Sequence, residues 1–499
     1  MGLAPRVSSL QAVSARRVPW TPLQLRIGGR RRATAAGAVA MLGALTVVAA
    51  SAMLAAAAAG EPSQYVPARV GGWPNWLSGP LRGLGGTLSA DTFQTLTLLM
   101  CGGYVLVLIG ARTAPAVAIA LAIVAAQVAL VLGPPLLSQD VFGYIGFARL
   151  GAVHGLDPYT HVPAQASADS VFPFIGWPFK HSPYGPLFTL ASYATASLPV
   201  ATAVWVFKAV AVAASLAATA VIAWVAGRLG QSRRWAAAFV GLNPVLLEDA
   251  VGGAHNDTLI LLTLAAALAL SVAARPRSRA AAVTLVAGIG IKVTGGLALP
   301  FMALAPRRVR ERVRVAGSAA LGLVLLAAIA LVGFGTHALA FVGTATEQEE
   351  RQQTATHSIP TELARLVGLN GTPNWWRIAF LGLFALVVLF ALARTAKGTD
   401  WRVAAGWTTL ALLCATAWLL PWYAIWALPL AAVCSDRRLR AATLVFCTYA
   451  VLIHLPLADP LLSPPRADLG IPAPAVPAQH RVELTGFQVL NHGVLDLRR

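Results

Sequence analysis

Apolar stretches long enough to hold the roughly 20 residues of a membrane helix alternate with short polar turns over most of this chain. Spans are expected over Thr34–Ala59, Thr92–Gly110 and Pro115–Gly133, with a Gly-, Pro- and Trp-rich loop between the first two. A long polar insertion follows over 137–186. The short apolar segment Tyr184–Pro199 reads as a re-entrant or interfacial helix, and a full span over Ala201–Ala226 comes after it. Two later segments are interrupted. Arg234–Arg275 rises to a polar GGAHND at 252–257 and falls back, and Arg279–Arg307 does the same around GIGIKVTGG. The second is too short for two full spans. A hairpin of half-helices is expected there, a form tolerated at membrane depth where it lines a protein cavity. Spans near Ala316–Val332 and Trp376–Ala393, a hairpin turning at LLPWY (419–423) and a last span near Ala441–Leu455 complete the pattern. The predicted fold is an all-α integral membrane bundle of about 11–13 membrane helices, some of them re-entrant.

Composition supports this class. The chain has 499 residues, 57% hydrophobic and only 11% charged, against roughly 25% charged in soluble domains. Its mean hydropathy is +0.68. No internal repeat is visible, so one membrane domain is expected over 34–456. A basic tail over 1–33, read as disordered and cytoplasmic, precedes it, and a Pro-rich outer tail over 457–499 follows. Cys101, Cys414, Cys434 and Cys447 lie in or beside apolar segments without a CxxC pair. They read as small buried hydrophobes.

The net charge of +19 would suit nucleic acid, but its distribution argues against that. Seven arginines and no acid lie in Met1–Arg32. Further clusters are Arg228, Arg233 and Arg234; Arg275, Arg277 and Arg279; Arg307 to Arg314; and Arg437, Arg438 and Arg440. Each abuts the end of an apolar run, which is the positive-inside pattern. The N-terminus and these clusters are therefore expected in the cytoplasm, and the 137–186 loop outside the cell. Of the 19 acids, this topology leaves only Glu311, Asp400 and Asp436 inside.

Chemistry gathers in three places. The first is LSQDVFGYIGFARLGAVHGLDPYTHVP, followed after a spacer by WPFKHSPYGP. Asp140 reads either as a carboxylate capping the next helix or as a catalytic group, and Tyr144 shares its helix face at i, i+4. Arg149 lies near the opposite face, so it meets a ligand from another direction or pairs with an acid elsewhere. Asp157 in GLDPY reads as a turn residue rather than a catalyst, while Tyr159, Trp177, His181 and Tyr184 are aromatic or polar candidates for ligand contacts. Lys180 is one of four lysines. The second place is GGAHND, with His255 and Asp257 beside two glycines and Glu248 and Asp249 about two turns upstream. The third is Lys292 among Gly288, Gly290, Gly295 and Gly296, an ionisable group at membrane depth and so a functional candidate. His357 in ATHSIPTEL is a further candidate, Pro421, Trp422 and Tyr423 read as a turn with an aromatic wall, and His454 as interfacial.

These motifs, with NPVLLEDAVGGAHND and LLPWYAIWALPL, occur in an order that resembles actinobacterial mannosyltransferases using polyprenyl phosphate mannose. The resemblance covers about Thr92–Leu455. It implies a GT-C-type polytopic bundle that extends the α-1,6-mannan backbone of lipomannan and lipoarabinomannan at the outer face of the plasma membrane. Asp140 matches the essential Asp that the GT-C pattern places just after a span. The implied reaction is a single inverting displacement. Asp140 takes the proton from the 6-hydroxyl of a lipid-linked mannan, and Lys292, Arg149 and His255 face the leaving phosphate. The implied partners are the polyprenyl phosphate mannose donor, the mannan acceptor and the bilayer, with no nucleic acid. No metal or other cofactor is implied. Two alternatives stay open. One is a GT-C enzyme for another polyprenyl-linked sugar, such as arabinose. The other is a polyprenyl-lipid transporter or flippase, since transporters also use broken helices with charges at depth. Against transport, no inverted repeat is visible and the polar groups fall on one side.

Overall fold

The computed structural model describes residues 23–61, 63–66, 74–339, 341–343, 357–369, 371–453 and 455. His454, the tail over 457–499 and the first part of the basic N-terminal segment lie outside these. The described residues form an all-helical bundle without a named strand. Helix α1 (Leu23–Ala58) begins within the basic segment rather than after it. It packs on α2 (Ala90–Gly110) and α3 (Ala116–Leu132). Small residues let α1 and α2 approach closely. A Cβ added at Gly43 would collide with the Gly103 backbone, and one at Gly110 with the Ala36 carbonyl.

The polar insertion folds into a short helix, α4 (Asp140–Ala152), and an irregular loop that returns to α5 (Pro186–Ser192). A long helix, α6 (Val200–Arg228), leads to α7 (Arg233–Gly241), a π-helical turn over Leu246–Val251 and α8 (Asp257–Val272). The Lys292 segment is a broken hairpin as its length demands: α9 (Ser278–Ile289), a 3-10 turn over Val293–Gly296, and α10 (Leu299–Leu304). Then come α11 (Val309–Phe334), α12 (Ile359–Leu366), α13 (Asn374–Ala396) and α14 (Trp401–Ala415). The LLPWY turn opens a 3-10 stretch over Pro421–Ala427 that runs into α15 (Leu428–Val433), and α16 (Arg437–Leu452) closes the described chain.

Among the described residues, five helices are long and apolar enough to cross a membrane: Thr34–Ala58, Ala90–Gly110, Val200–Arg228, Val309–Leu339 and Asn374–Ala396. The expected 11–13 spans therefore depend on the shorter apolar helices crossing singly or in pairs. Apolar side chains on Asn374–Ala396, among them Ile378, Leu386 and Phe390, face outward, as a lipid-facing helix requires.

The basic turns meet at one end of the bundle. Arg234 donates to Ala114 O at 2.8 Å, and Arg440 to Gln231 Oε1 at 2.9 Å. Arg112 and Arg440 both lie over the Trp235 ring, and Arg312 reaches Ala396 O. Helix α8 runs from Asp257 toward the basic turn at Arg275, and α3 runs away from that end to the loop before Asp140. The Asp140 loop and the GGAHND turn thus lie at the opposite end.

Candidate active site

Four segments far apart in sequence converge at that opposite end: the start of α4, the HSPYGP turn, the GGAHND turn and the aromatic stretch after LLP. Asp140 occupies the first position of α4, where Ser138 Oγ accepts its backbone N–H at 3.1 Å. Its carboxylate does not cap the helix. Instead, Oδ2 accepts the Tyr184 hydroxyl at 3.3 Å and lies 3.4 Å from His255 Nδ1. The Asp140 side chain keeps 15% of its surface open while His255 has none. Burial pushes the Asp140 carboxyl up, but facing His255, the charge of Lys292 and the Tyr184 hydroxyl outweigh it and hold the group below its ordinary value. Asp140 is thus a partly open carboxylate with the Tyr184 hydroxyl and the His255 ring on one oxygen.

His255 is stacked on Trp422, ring centroids 3.8 Å apart. Both ring nitrogens of His255, Trp422 Nε1 and Asn256 Nδ2 are buried and have no hydrogen-bond partner among the described residues. Unpaired buried donors are rare in native proteins and call for an explanation such as a bound ligand. Tyr144, fully buried, accepts the Asn256 N–H at 3.1 Å and packs edge-on against Tyr184 and Phe188. Asp140 and Tyr144, four positions apart, share a helix face as expected, and both side chains meet the GGAHND and HSPYGP turns.

Beside this lies a buried ion pair. Lys292 Nζ sits 3.2 and 3.1 Å from the two oxygens of Asp257. Asp257 Oδ1 also accepts the Trp426 indole N–H at 2.7 Å. The ammonium lies over the rings of Tyr423 at 4.5 Å and Trp426 at 5.5 Å, a favourable placement for a cation. Asp257 is fully buried, whereas the Lys292 side chain keeps 13% exposure.

The other sequence candidates stand apart from this cluster. Arg149 pairs with Asp169 at 2.8 Å and donates to Ala196 O at 2.7 Å, and His154 joins the same carboxylate at 2.6 Å. It thus takes the second of its two expected roles, pairing with an acid elsewhere. Tyr159 is buried against Phe334, and its hydroxyl donates to Tyr184 O at 2.9 Å, so it supports the strand of chain that carries Tyr184. His181 is half-buried, in a segment pinned by Ser182 N–H to Pro158 O. His357 pairs with Glu362 at 2.8 Å near Tyr449. Lys180 lies over Trp177 at 4.2 Å and Trp418 at 5.3 Å. Glu248 is buried and accepts from Thr97 at 2.8 Å. Asp157 closes its turn by accepting the Tyr159 N–H.

A carboxylate after a span, a histidine from a polar turn, and a lysine in a broken hairpin make a compact polar site at the end of an apolar bundle. A family model for alpha-(1->6)-mannopyranosyltransferase, N-terminal domain, matches residues 37–308, more than half of the chain. The chain belongs to this family. Two alpha-(1->6)-mannopyranosyltransferases of Mycobacterium tuberculosis are similar to it. One is 33% identical over 147 residues, which cover 26% of this chain and 23% of that protein. The other, alpha-(1->6)-mannopyranosyltransferase A, is 27% identical over 362 residues, covering 66% of this chain and 67% of that protein. The first alignment thus spans under a quarter of its relative's length. No solved structure matches the chain.

The stretch matching the α-(1→6)-mannopyranosyltransferase family carries Asp140, Tyr184, His255, Asp257 and Lys292, whereas Trp422, Tyr423 and Trp426 lie beyond it. Sequence reasoning passed over Lys208, Asn256, Asp169 and Trp426. Lys208 carried a usable signal, a lysine inside the apolar run VATAVWVFKAVAVAASLA. Trp426 carried none, because its partner Asp257 is 169 residues away.

Proposed function

We propose that this protein transfers mannose from polyprenyl phosphate mannose to the 6-hydroxyl of a lipid-linked α-1,6-mannan, by one inverting displacement at the outer face of the plasma membrane. The observation that carries the reading is the Asp140 carboxylate, partly open and held between Tyr184 and His255. A general base must be deprotonated and within reach of the proton it takes. In the proposed step the acceptor oxygen attacks the anomeric carbon and its proton passes to Asp140. The bond from the anomeric carbon to phosphate breaks, and the phosphate leaves with the electron pair. Lys292 is the ammonium whose charge reaches this place, and positive charge at the leaving oxygens favours the transition state. The N–H groups of Trp422 and Asn256, without a partner among the described residues, suit hydroxyl-rich sugars. In this reading the reaction uses no divalent ion. With the positive-inside rule, the basic end of the bundle faces the cytoplasm and the Asp140 end faces out.

The test uses membranes containing the full chain, labelled polyprenyl phosphate mannose and a short α-1,6-mannoside acceptor. Wild type is expected to extend the acceptor. Asp140→Asn at matched expression should lose about 10²–10⁴-fold in rate, the usual worth of a general base. Equal rates would remove Asp140 from the chemistry. If wild type were inert with mannose but active with polyprenyl phosphate arabinose, the sugar assignment would fall.

A further inference from the structure

Lys208 is fully buried in the first half of α6 and forms no ion pair with the described residues. Such an ammonium is costly unless its N–H groups are satisfied. Its Nζ donates to two backbone carbonyls, Pro134 O at 3.1 Å and Gly252 O at 3.3 Å, and lies 5.8 Å from the Trp205 ring centre. Those carbonyls belong to the two loops that carry the site. Pro134 begins the loop into Asp140, and Gly252 begins the turn into His255. The loops are also joined directly, since Gly252 O accepts the Leu136 N–H at 3.1 Å.

Between each clamped carbonyl and its reactive side chain stands a residue in the left-handed region. Leu137 has φ 60° and Ala254 has φ 58°, and they are the only non-glycine residues with positive φ among the described residues. A residue with a Cβ holds that conformation only where its surroundings over-determine it. Lys208 supplies such a constraint to both loops at once.

We propose that Lys208 is a positioning residue that fixes the separation of Asp140 and His255 by clamping the crossing of their two loops. With no exposed surface, it meets no substrate itself and acts through those two side chains. The kinetic part of this inference rests on the transfer reading above; the structural part does not.

Two measurements on the purified full chain and its membranes test it. In Lys208→Met, hydrogen exchange at amides of 136–140 and 250–257 should quicken about tenfold or more as local opening becomes easier, while α1, α11 and α13 stay as in wild type. This readout uses no substrate, so it stands even if the mannose assignment fails. In the transfer assay, kcat should fall by about 10²-fold, the scale of a small misplacement of catalytic groups, with the donor KM nearly unchanged. In an Asp140→Asn background the same change should cost nothing more. Lys208→Gln keeps a donor but is too short to bridge both carbonyls, and it carries the same test if Lys208→Met does not accumulate. Unchanged exchange in the two loops, or faster exchange throughout the molecule, overturns the proposal. So does a fall in transfer that is equally large with and without Asp140.

Discussion

At Asp140, two opposing influences meet on one carboxyl. Burial disfavours the charge, while His255, Lys292 and Tyr184 favour it, and the second set wins. A lowered carboxyl stays ionised as pH falls, and the base is lost only when pH drops through that lowered value. In the proposed reaction, kcat/KM should therefore hold steady from pH 7 to 5, with its acid limb below about pH 4, the ordinary carboxylate range. A limb near pH 6 would hand the role of base to an imidazole. The Lys292–Asp257 pair answers to the same logic. Leaving either partner alone in a buried site is expensive, so the pair is best read as one unit that places a lysine beside the site. The rings of Tyr423 and Trp426 hold that unit from a third direction.

The broken hairpin of α9 and α10 is the element that delivers Lys292. It turns so tightly because its two arms touch through backbone. A Cβ at Gly295 would collide with the Gly288 backbone, and Gly288 O accepts the N–H groups of both Ile291 and Lys292 at 3.0 Å. Helix α5 docks on the same turn, with Gly185, Leu187 and Phe188 donating to Ile291 O and Gly290 O. Gly295→Ala should therefore part the arms, lowering stability by about 1–3 kcal/mol, as overpacking does, and lowering transfer as Lys292 moves. Gly317→Ala on α11 has open space for its methyl and should be neutral or mildly stabilising. Thermal unfolding in detergent and the transfer assay compare the two; equal effects would mean the hairpin is not held by this contact. This element was legible in sequence because four glycines and a lysine interrupt an apolar run too short to cross twice. The start of α4 at Asp140 was legible from SQD before VFGY. The partners of these elements were not. Asp169 answers Arg149 from 20 positions away, and Trp426 answers Asp257 from 169. No local spacing encodes such pairs, since they depend on how half-helices of similar composition pack.

Across the whole molecule, charge and chemistry are separated along the helices. Arginines from three turns gather around Trp235, Ala114 and Gln231, while Asp140, His255, Asp257 and Lys292 gather at the far end. The proposed lipid-linked donor suits this division: its tail would lie among apolar helices and its phosphate and sugar at the polar end. Cells keep arginine-rich turns inside, so the two ends should lie on opposite sides of the membrane. Two exposed serines mark them. Ser170 lies in the loop after α4, and Ser435 lies just before the Arg437–Arg440 cluster. The native cysteines are buried or half-buried, which keeps background labelling low. In intact cells, a membrane-impermeant maleimide should label Ser170→Cys and spare Ser435→Cys; after permeabilisation it should label both. The reverse pattern would put the Asp140 end in the cytoplasm and exclude an outward-facing transferase. Labelling of both in intact cells would mean that the polar end and the basic end share one side, which a bundle spanning the membrane between them does not allow.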